Sequence, residues 1–105
     1  MSFAKRQGEL ELTVLQKAAQ AGTLESNDIM ITVSPADPGD GIRIELSSPL
    51  IKQFGRQIKL VISETIQEYG LSDALVHAND RGALDCTIRA RVRAAVERAA
   101  RGEEQ

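Results

Sequence analysis

Tryptophan is absent from this chain of 105 residues, and aromatic residues make up only 3% of it. A core without aromatic bulk has to be assembled from Ile, Val, Leu and Ala. There is one cysteine, Cys86, and one histidine, His77. A lone thiol excludes an internal disulfide, and no Cys/His cluster of metal-ligand spacing accompanies it. A catalytic triad, a His-rich metal site and a zinc ribbon are all disfavoured by a single histidine. No run of about 18 apolar residues occurs, so no membrane span is expected. The N-terminus has no apolar core of an export signal, and with a free thiol the expected compartment is the cytoplasm. Neither G-x-x-x-x-G-K-S/T nor G-x-G-x-x-G is present, so no phosphate-cradling loop is expected either.

What is present describes an ordinary small domain. Hydrophobic residues make up 42%, charged residues 27%, and the formal net charge is −2. That balance speaks against nucleic acid as the main partner, which needs a basic surface. The length fits one domain with a modest core and no room for a cleft between two lobes.

Residues 1–20 give conflicting signals, because Leu10, Leu12 and Val14 alternate like a strand while Leu10, Val14 and Ala18 recur at helical spacing. This stretch is read as an N-terminal arm of open structure, followed by a domain over residues 21–102 and a tail over 103–105. Ala21 to Asp28 is polar and reads as a loop. Ile29–Val33 is β-branched and Ile42–Leu46 alternates strictly, so both read as strands. The intervening Ser34–Gly41, with two prolines and two glycines, predicts a hairpin between them.

Ser48 and Pro49 read as the N-cap and first position of a helix. Leu50, Phe54, Ile58, Val61, Ile62, Ile66 and Tyr69 form its apolar stripe, and Gly70 is placed to end it. Ala74–Asn79 predicts a third strand. Leu84, Ile88, Val92, Ala95, Val96 and Ala99 predict a second amphipathic helix ending near Gly102. The expected fold is therefore α+β, a two-layer β-β-α-β-α arrangement with a small three-stranded sheet and two helices on one of its faces.

Few residues offer intrinsic chemistry. Cys86, beside Leu84 and Ile88, is expected to be a buried structural thiol, since no histidine stands near it to favour the thiolate. His77 is read as structural or solvated rather than catalytic. Asp80 and Asp85 suit helix capping, and spacing brings no two carboxylates together as an acid–base pair. Arg89, Arg91, Arg93, Arg98 and Arg101 make the second helix cationic. The reading favoured is a solvated face, the alternative a docking surface for an acidic partner or for phosphates. Ser26 stands between Glu25 and Asn27-Asp28 with nothing nearby to activate its hydroxyl, so it is not expected to be an intrinsic nucleophile. An exposed loop serine is nonetheless accessible to a modifying enzyme.

The segment Ala21-Gly22-Thr23-Leu24-Glu25-Ser26-Asn27-Asp28-Ile29-Met30 resembles the signature of the acyl carrier (gamma) subunit of citrate lyase, usually A-G-T-L-E-S-S-D before an aliphatic residue and Met. Gln53-Phe54-Gly55 and Asp80-Arg81-Gly82-Ala83-Leu84-Asp85-Cys86, leading into Ala90-Arg91-Val92, agree with the same family in order and spacing. Asn27 stands where serine is more frequent, and Arg81 where lysine is. The resemblance implies a non-catalytic carrier. Its Ser26 would bear 2′-(5″-phosphoribosyl)-3′-dephospho-CoA through a phosphodiester, presenting acetyl and citryl thioesters for citrate cleavage to oxaloacetate and acetate. The implied partners are the alpha and beta subunits of citrate lyase and the transferase that attaches the group. Glu25 and Asp28 would repel the phosphates of the group and are expected to serve recognition by that enzyme or by the partner subunits. The arginines of the second helix, or Arg81, would offset that charge if the fold brings them close. The competing readings are the carrier subunit of malonate decarboxylase, which uses the same type of group, and a small α+β nucleic-acid- or protein-binding module. A K-homology domain, the nucleic-acid-binding form of the latter, needs a G-x-x-G loop and a basic groove; this chain lacks the loop and is acidic overall.

Overall fold

The computed structural model describes residues 13–102. The expectations for residues 1–12 and for the tail at 103–105 lie outside the described residues. The elements run β1 (Ala19–Ala21), β2 (Ile29–Pro35), β3 (Ile42–Ser47), α1 (Ile51–Gln67), β4 (Ala74–Asp80) and α2 (Asp85–Arg101). The fold is α+β as expected, but the sheet has four strands rather than three, in the order β1-β2-β4-β3. The added strand is three residues of Ala-Gln-Ala, too short and too small in side chain to show a β pattern. It is held at the edge by pairing with β2 and by Arg98, whose Nη1 donates to the Gln20 carbonyl at 2.8 Å.

The predicted hairpin does not form. β4 lies between β2 and β3, antiparallel to the first and parallel to the second. The turn-rich segment between β2 and β3 instead bridges the start of β4. Gly39 and Gly41 donate their backbone N–H groups to the Asp73 carboxylate at 3.0 and 2.7 Å, and Ala74 donates to the Gly41 carbonyl. Turn chemistry announces a reversal of the chain, but it does not say whether a third strand will enter between the two arms.

Alternation puts Ile29, Ile31 and Val33 of β2, and Ala74, Val76 and Ala78 of β4, on one face. Both helices cover that face with Ile58, Val61, Ile62 and Ile66 of α1 and Ile88, Val92, Ala95, Val96 and Ala99 of α2. Each fully buried Ile or Val here contributes about 1.5–3 kcal/mol. Thr65, the buried polar residue of α1, satisfies its hydroxyl by donating to the Val61 carbonyl at 2.8 Å. Among the described residues no helix covers the other face of the sheet. Thr13 donates to the Tyr69 carbonyl and Gln16 to that of Ala99, so the chain just before β1 lies against the ends of the helices.

Helix α1 begins later than Ser48-Pro49 implies. Its N-cap is Leu50. Ser48 instead shapes the preceding turn, accepting the Leu50 N–H at 3.0 Å and donating to Asp80 at 2.8 Å. The first turn of the apolar stripe outruns the sheet, leaving Leu50 and Phe54 39% and 51% exposed. Gly70 has φ +67°, and it closes a further turn by donating to Gln67. Helix α2 ends as expected, with Gly102 left-handed at the C-cap.

Because β3 and β4 run parallel, the helices that follow them start at the same end of the sheet. Ile29, which opens β2, pairs with Asp80, which ends β4, so the β1–β2 loop lies at that end too. Three connections therefore converge: the loop bearing Ser26, the Ser48–Leu50 turn and the Arg81–Leu84 link.

Candidate functional site

Ser26 sits at the apex of the β1–β2 loop and is exposed. Asp28 donates its N–H to the Glu25 carbonyl at 3.2 Å, closing a four-residue turn with Ser26 and Asn27 at its centre. Asn27 has φ +68°, the only positive φ outside glycine among the described residues. A positive φ at the third turn position alone is the pattern of a type II turn, where Asn is tolerated better than other non-glycine residues. The substitution of Asn for the family's more frequent serine thus falls where the backbone favours it.

The turn is fastened from two sides. Asn27 donates its N–H to the Arg81 carbonyl at 2.8 Å, and Arg81 returns a bond to the Asp28 carbonyl at 2.9 Å. These bonds extend the β2–β4 ladder by one step beyond the sheet. On the other side, Gly22 runs so close to β2 that a Cβ would stand 1.8 Å from the Ile29 carbonyl oxygen, and its φ is +105°. Only glycine fits there. Gly82, φ +95°, performs the opposite turn across from Asn27.

Asp28 is the centre of the arrangement. Its carboxylate accepts the Thr23 hydroxyl at 2.7 Å, its neighbour Ile29 N–H at 2.7 Å, and two bonds from Arg91. The Arg91 guanidinium, aided by Thr23 and the Ile29 N–H, holds the carboxyl down from 3.8 to about 2, against a smaller opposing effect of burial. The same pair raises the pKa of Arg91. Asp28 therefore has a role inside the fold, apart from the recognition by the attaching enzyme or the partner subunits expected of it. Its side chain is only 13% exposed and its oxygens are taken up inside the loop. Glu25, by contrast, remains exposed beside Ser26.

The cationic face of α2 is accordingly divided. Arg91 locks the loop, Arg93 makes two 3.1 Å bonds to Glu68, and Arg98 holds β1. The sequence contained both members of the Asp28–Arg91 pair but no periodic signal joining them. Arg81 is exposed, with its backbone pinned to the Ser26 turn.

Asp80 is buried, accepting the Ser48 hydroxyl and the Ala83 N–H at 2.8 and 3.0 Å, so it ties two of the converging connections together. Cys86 is exposed, contrary to the expected buried thiol. It falls in the first turn of α2, before the helix reaches the sheet, and the apolar neighbour Leu84 is itself 70% exposed. His77 points from the open face, 53% exposed, with Nδ1 3.3 Å from the Glu45 carboxylate. Among the described residues no group of three or more His, Cys, Asp or Glu could hold a metal ion, and no helix is long and apolar enough to cross a membrane.

The Ser26 loop is thus short, exposed and fixed at both ends on a two-layer α+β support, and comparisons with known proteins give the class: an acyl carrier protein. A family model described as ACP, the malonate decarboxylase delta subunit (MdcD), matches residues 16–99. The citrate lyase acyl carrier protein of Halothermothrix orenii is 50% identical, over 87% of this chain and 95% of its own. That of Streptococcus uberis is 58% identical over 82% and 83%, and that of Streptococcus mutans 53% identical over 85% and 86%. Among solved structures, a Pseudomonas malonate decarboxylase hetero-tetramer in complex with malonate contains a chain that superposes with a TM-score of 0.64. At 19% identity, covering 80% of this chain and 84% of that one, it shows the shared fold alone.

The chain belongs to the citrate lyase acyl carrier protein family. The carrier reading is borne out, and between its two forms the relatives at 50–58% identity favour citrate lyase over malonate decarboxylase.

Proposed function

We propose that this chain is a non-catalytic carrier subunit of citrate lyase, with the Ser26 oxygen as the covalent anchor of 2′-(5″-phosphoribosyl)-3′-dephospho-CoA. When bound, that group supplies a terminal thiol on which acetyl and citryl thioesters are presented for release of oxaloacetate and acetate. The observation that carries the reading is the geometry of Ser26 itself. Its hydroxyl stands exposed at the apex of a turn whose ends are fixed by Gly22, Asn27 and the Asp28–Arg91 pair. Among the described residues none hydrogen-bonds that hydroxyl. This suits a group esterified by another enzyme rather than one that attacks substrate.

The surroundings fit an arm with phosphates at its root. Asp28, whose charge would oppose them, is neutralised by Arg91. The exposed Arg81 lies on the strand extension bonded to the same turn. Catalytic acids and bases would come from the alpha and beta subunits, and the chain's own contribution is a high local concentration of tethered substrate. Exposed Leu24, Leu50, Phe54 and Leu84 lie around this end of the molecule, which supports contact there with the partner subunits and the transferase. The reading places the protein in the cytoplasm with the other subunits.

Intact mass spectrometry of the protein from citrate-grown cells of its host tests this. A phosphorus-containing adduct that disappears in Ser26→Ala is expected. An unmodified wild-type mass from such cells would overturn the proposal.

A further inference from the structure

The sheet face opposite the helices carries a groove of about 450 Å³ that the attachment site does not use. Met30, Asn79 and Ser47 form one row across β2, β4 and β3, immediately below the Ser26 turn, and Thr32, His77 and Glu45 form the next. Leu24, two residues before Ser26, lines the groove at its upper end. The groove therefore begins at the tether and runs away from it down the sheet.

Its chemistry is selective. Leu24 and Met30 offer apolar surface, and Thr32, Ser47 and Asn79 offer neutral hydrogen-bonding groups. No Lys or Arg is among the described residues that line it. The imidazole of His77 already faces the Glu45 carboxylate at 3.3 Å. Among the described residues that line the groove a phosphate would meet no fixed cation and would approach Glu45, while Arg43 stands one row further down β3, beyond the lining. A slender neutral chain of amides and methylenes would find partners for both parts. The volume falls at the lower end of the roughly 300–1,000 Å³ of small-molecule sites, which suits such a chain.

From this the structure assigns the groove as the resting place of the neutral, amide-bearing end of the Ser26-linked group, with its thiol and acyl terminus. The assignment rests on the reading of Ser26 as the anchor. Tethering makes weak affinity sufficient. Short flexible linkers give effective concentrations of about 1 mM, so an intrinsic Kd of about 0.1–1 mM leaves the groove half to nine-tenths filled. Occupancy at that level still releases the arm readily to a partner subunit.

The experiment compares isotope-labelled chain before and after loading by the attaching enzymes, with intact mass recorded on each sample. Loading is expected to move the backbone resonances of Thr32, Ser47, His77 and Asn79 and to give nuclear Overhauser contacts between arm protons and the Met30 methyl. In Thr32→Glu, or in the milder Met30→Gln, the mass adduct should persist while those contacts weaken or vanish. A loaded wild-type chain whose changes stay within residues 23–29 and 81–82, without contacts to Met30, overturns the groove assignment and leaves the anchor standing. Failure of Ser26 to take any adduct overturns both.

Discussion

Arg91 of α2 grips the carboxylate of Asp28 with two parallel bonds, Nε at 3.0 Å and Nη2 at 2.8 Å, across 63 residues of sequence. Bidentate pairing of this kind fixes orientation as well as distance. It makes the position of the Ser26 turn a property of the helix layer as well as of the loop.

The pair should leave a signature in acid. The carboxyl of Asp28 is lowered from 3.8 to about 2, so its ionised form stabilises the fold at neutral pH. That stabilisation is present above about pH 4–5 and is lost as pH falls through 3.8 towards 2. Arg91 is 38% exposed, so solvent screening limits the contribution to at most about 2 kcal/mol. Urea unfolding of the wild type and Asp28→Asn should differ at pH 6 and converge near pH 2. An equal gap at both values would sink the assignment.

Gly22→Ala should be among the most damaging single-methyl changes in the chain. Its Cβ would press on the Ile29 backbone, which is paired with Asp80 and cannot give way easily. A loss of at least about 2 kcal/mol is expected from clash and strained φ together. Thermal unfolding reads it, and a Tm within a degree or two of the wild type would contradict the packing described.

Asn27 offers a finer test of the turn. Asn27→Gly should leave stability within about 1 kcal/mol, whereas Asn27→Val, β-branched at φ +68°, should cost about 1–2 kcal/mol or more. Equal stability of the two variants would mean that the residue does not occupy the left-handed region.

Cys86 should react in the native protein. It is exposed in the first turn of α2, so a thiol reagent should consume one equivalent without denaturant. Protection that disappears only on unfolding would restore the buried reading.

Tyr69 is the sole tyrosine, so its ionisation can be followed by absorbance alone. Burial, and then the 2.7 Å bond it donates to Glu97, push its phenol well above the usual value near 10. Native protein should show little tyrosinate at pH 10–11. The unfolded chain ionises there first, so stability should fall as pH rises above 10. Glu97→Gln should bring the ionisation down, and an unchanged midpoint in that variant would remove Glu97 as a cause.

Legibility followed the physics of each element. Helix α2 is readable to its last residue because its apolar positions from Ile88 to Ala99 all meet the core and Gly102 ends it, with only Leu84 lying ahead of the packed stretch. Helix α1 was readable only from Ile58 onward, since Leu50 and Phe54 share its period but lie beyond the sheet's end. Cys86 was misread for the same reason: the stripe it adjoins has not yet reached the core. In the site, Gly22 and Ser26 were visible in the signature, whereas the function of Asp28 was not. A carboxylate beside a candidate phosphate anchor looks repulsive until its partner in α2 is seen.

The sequence by itself determined the two amphipathic helices, three of the strands and the exposed, family-specific loop around Ser26. Periodicity and turn chemistry act between neighbours in the chain and suffice for the helices and strands, while the meaning of the Ser26 loop came from its resemblance to a family signature. Only the tertiary structure decided that β4 enters between β2 and β3, that a three-residue edge strand completes the sheet, and that Arg91 neutralises Asp28. Those depend on which surfaces meet, and the spacing of residues along one segment does not say which distant segment will lie against it.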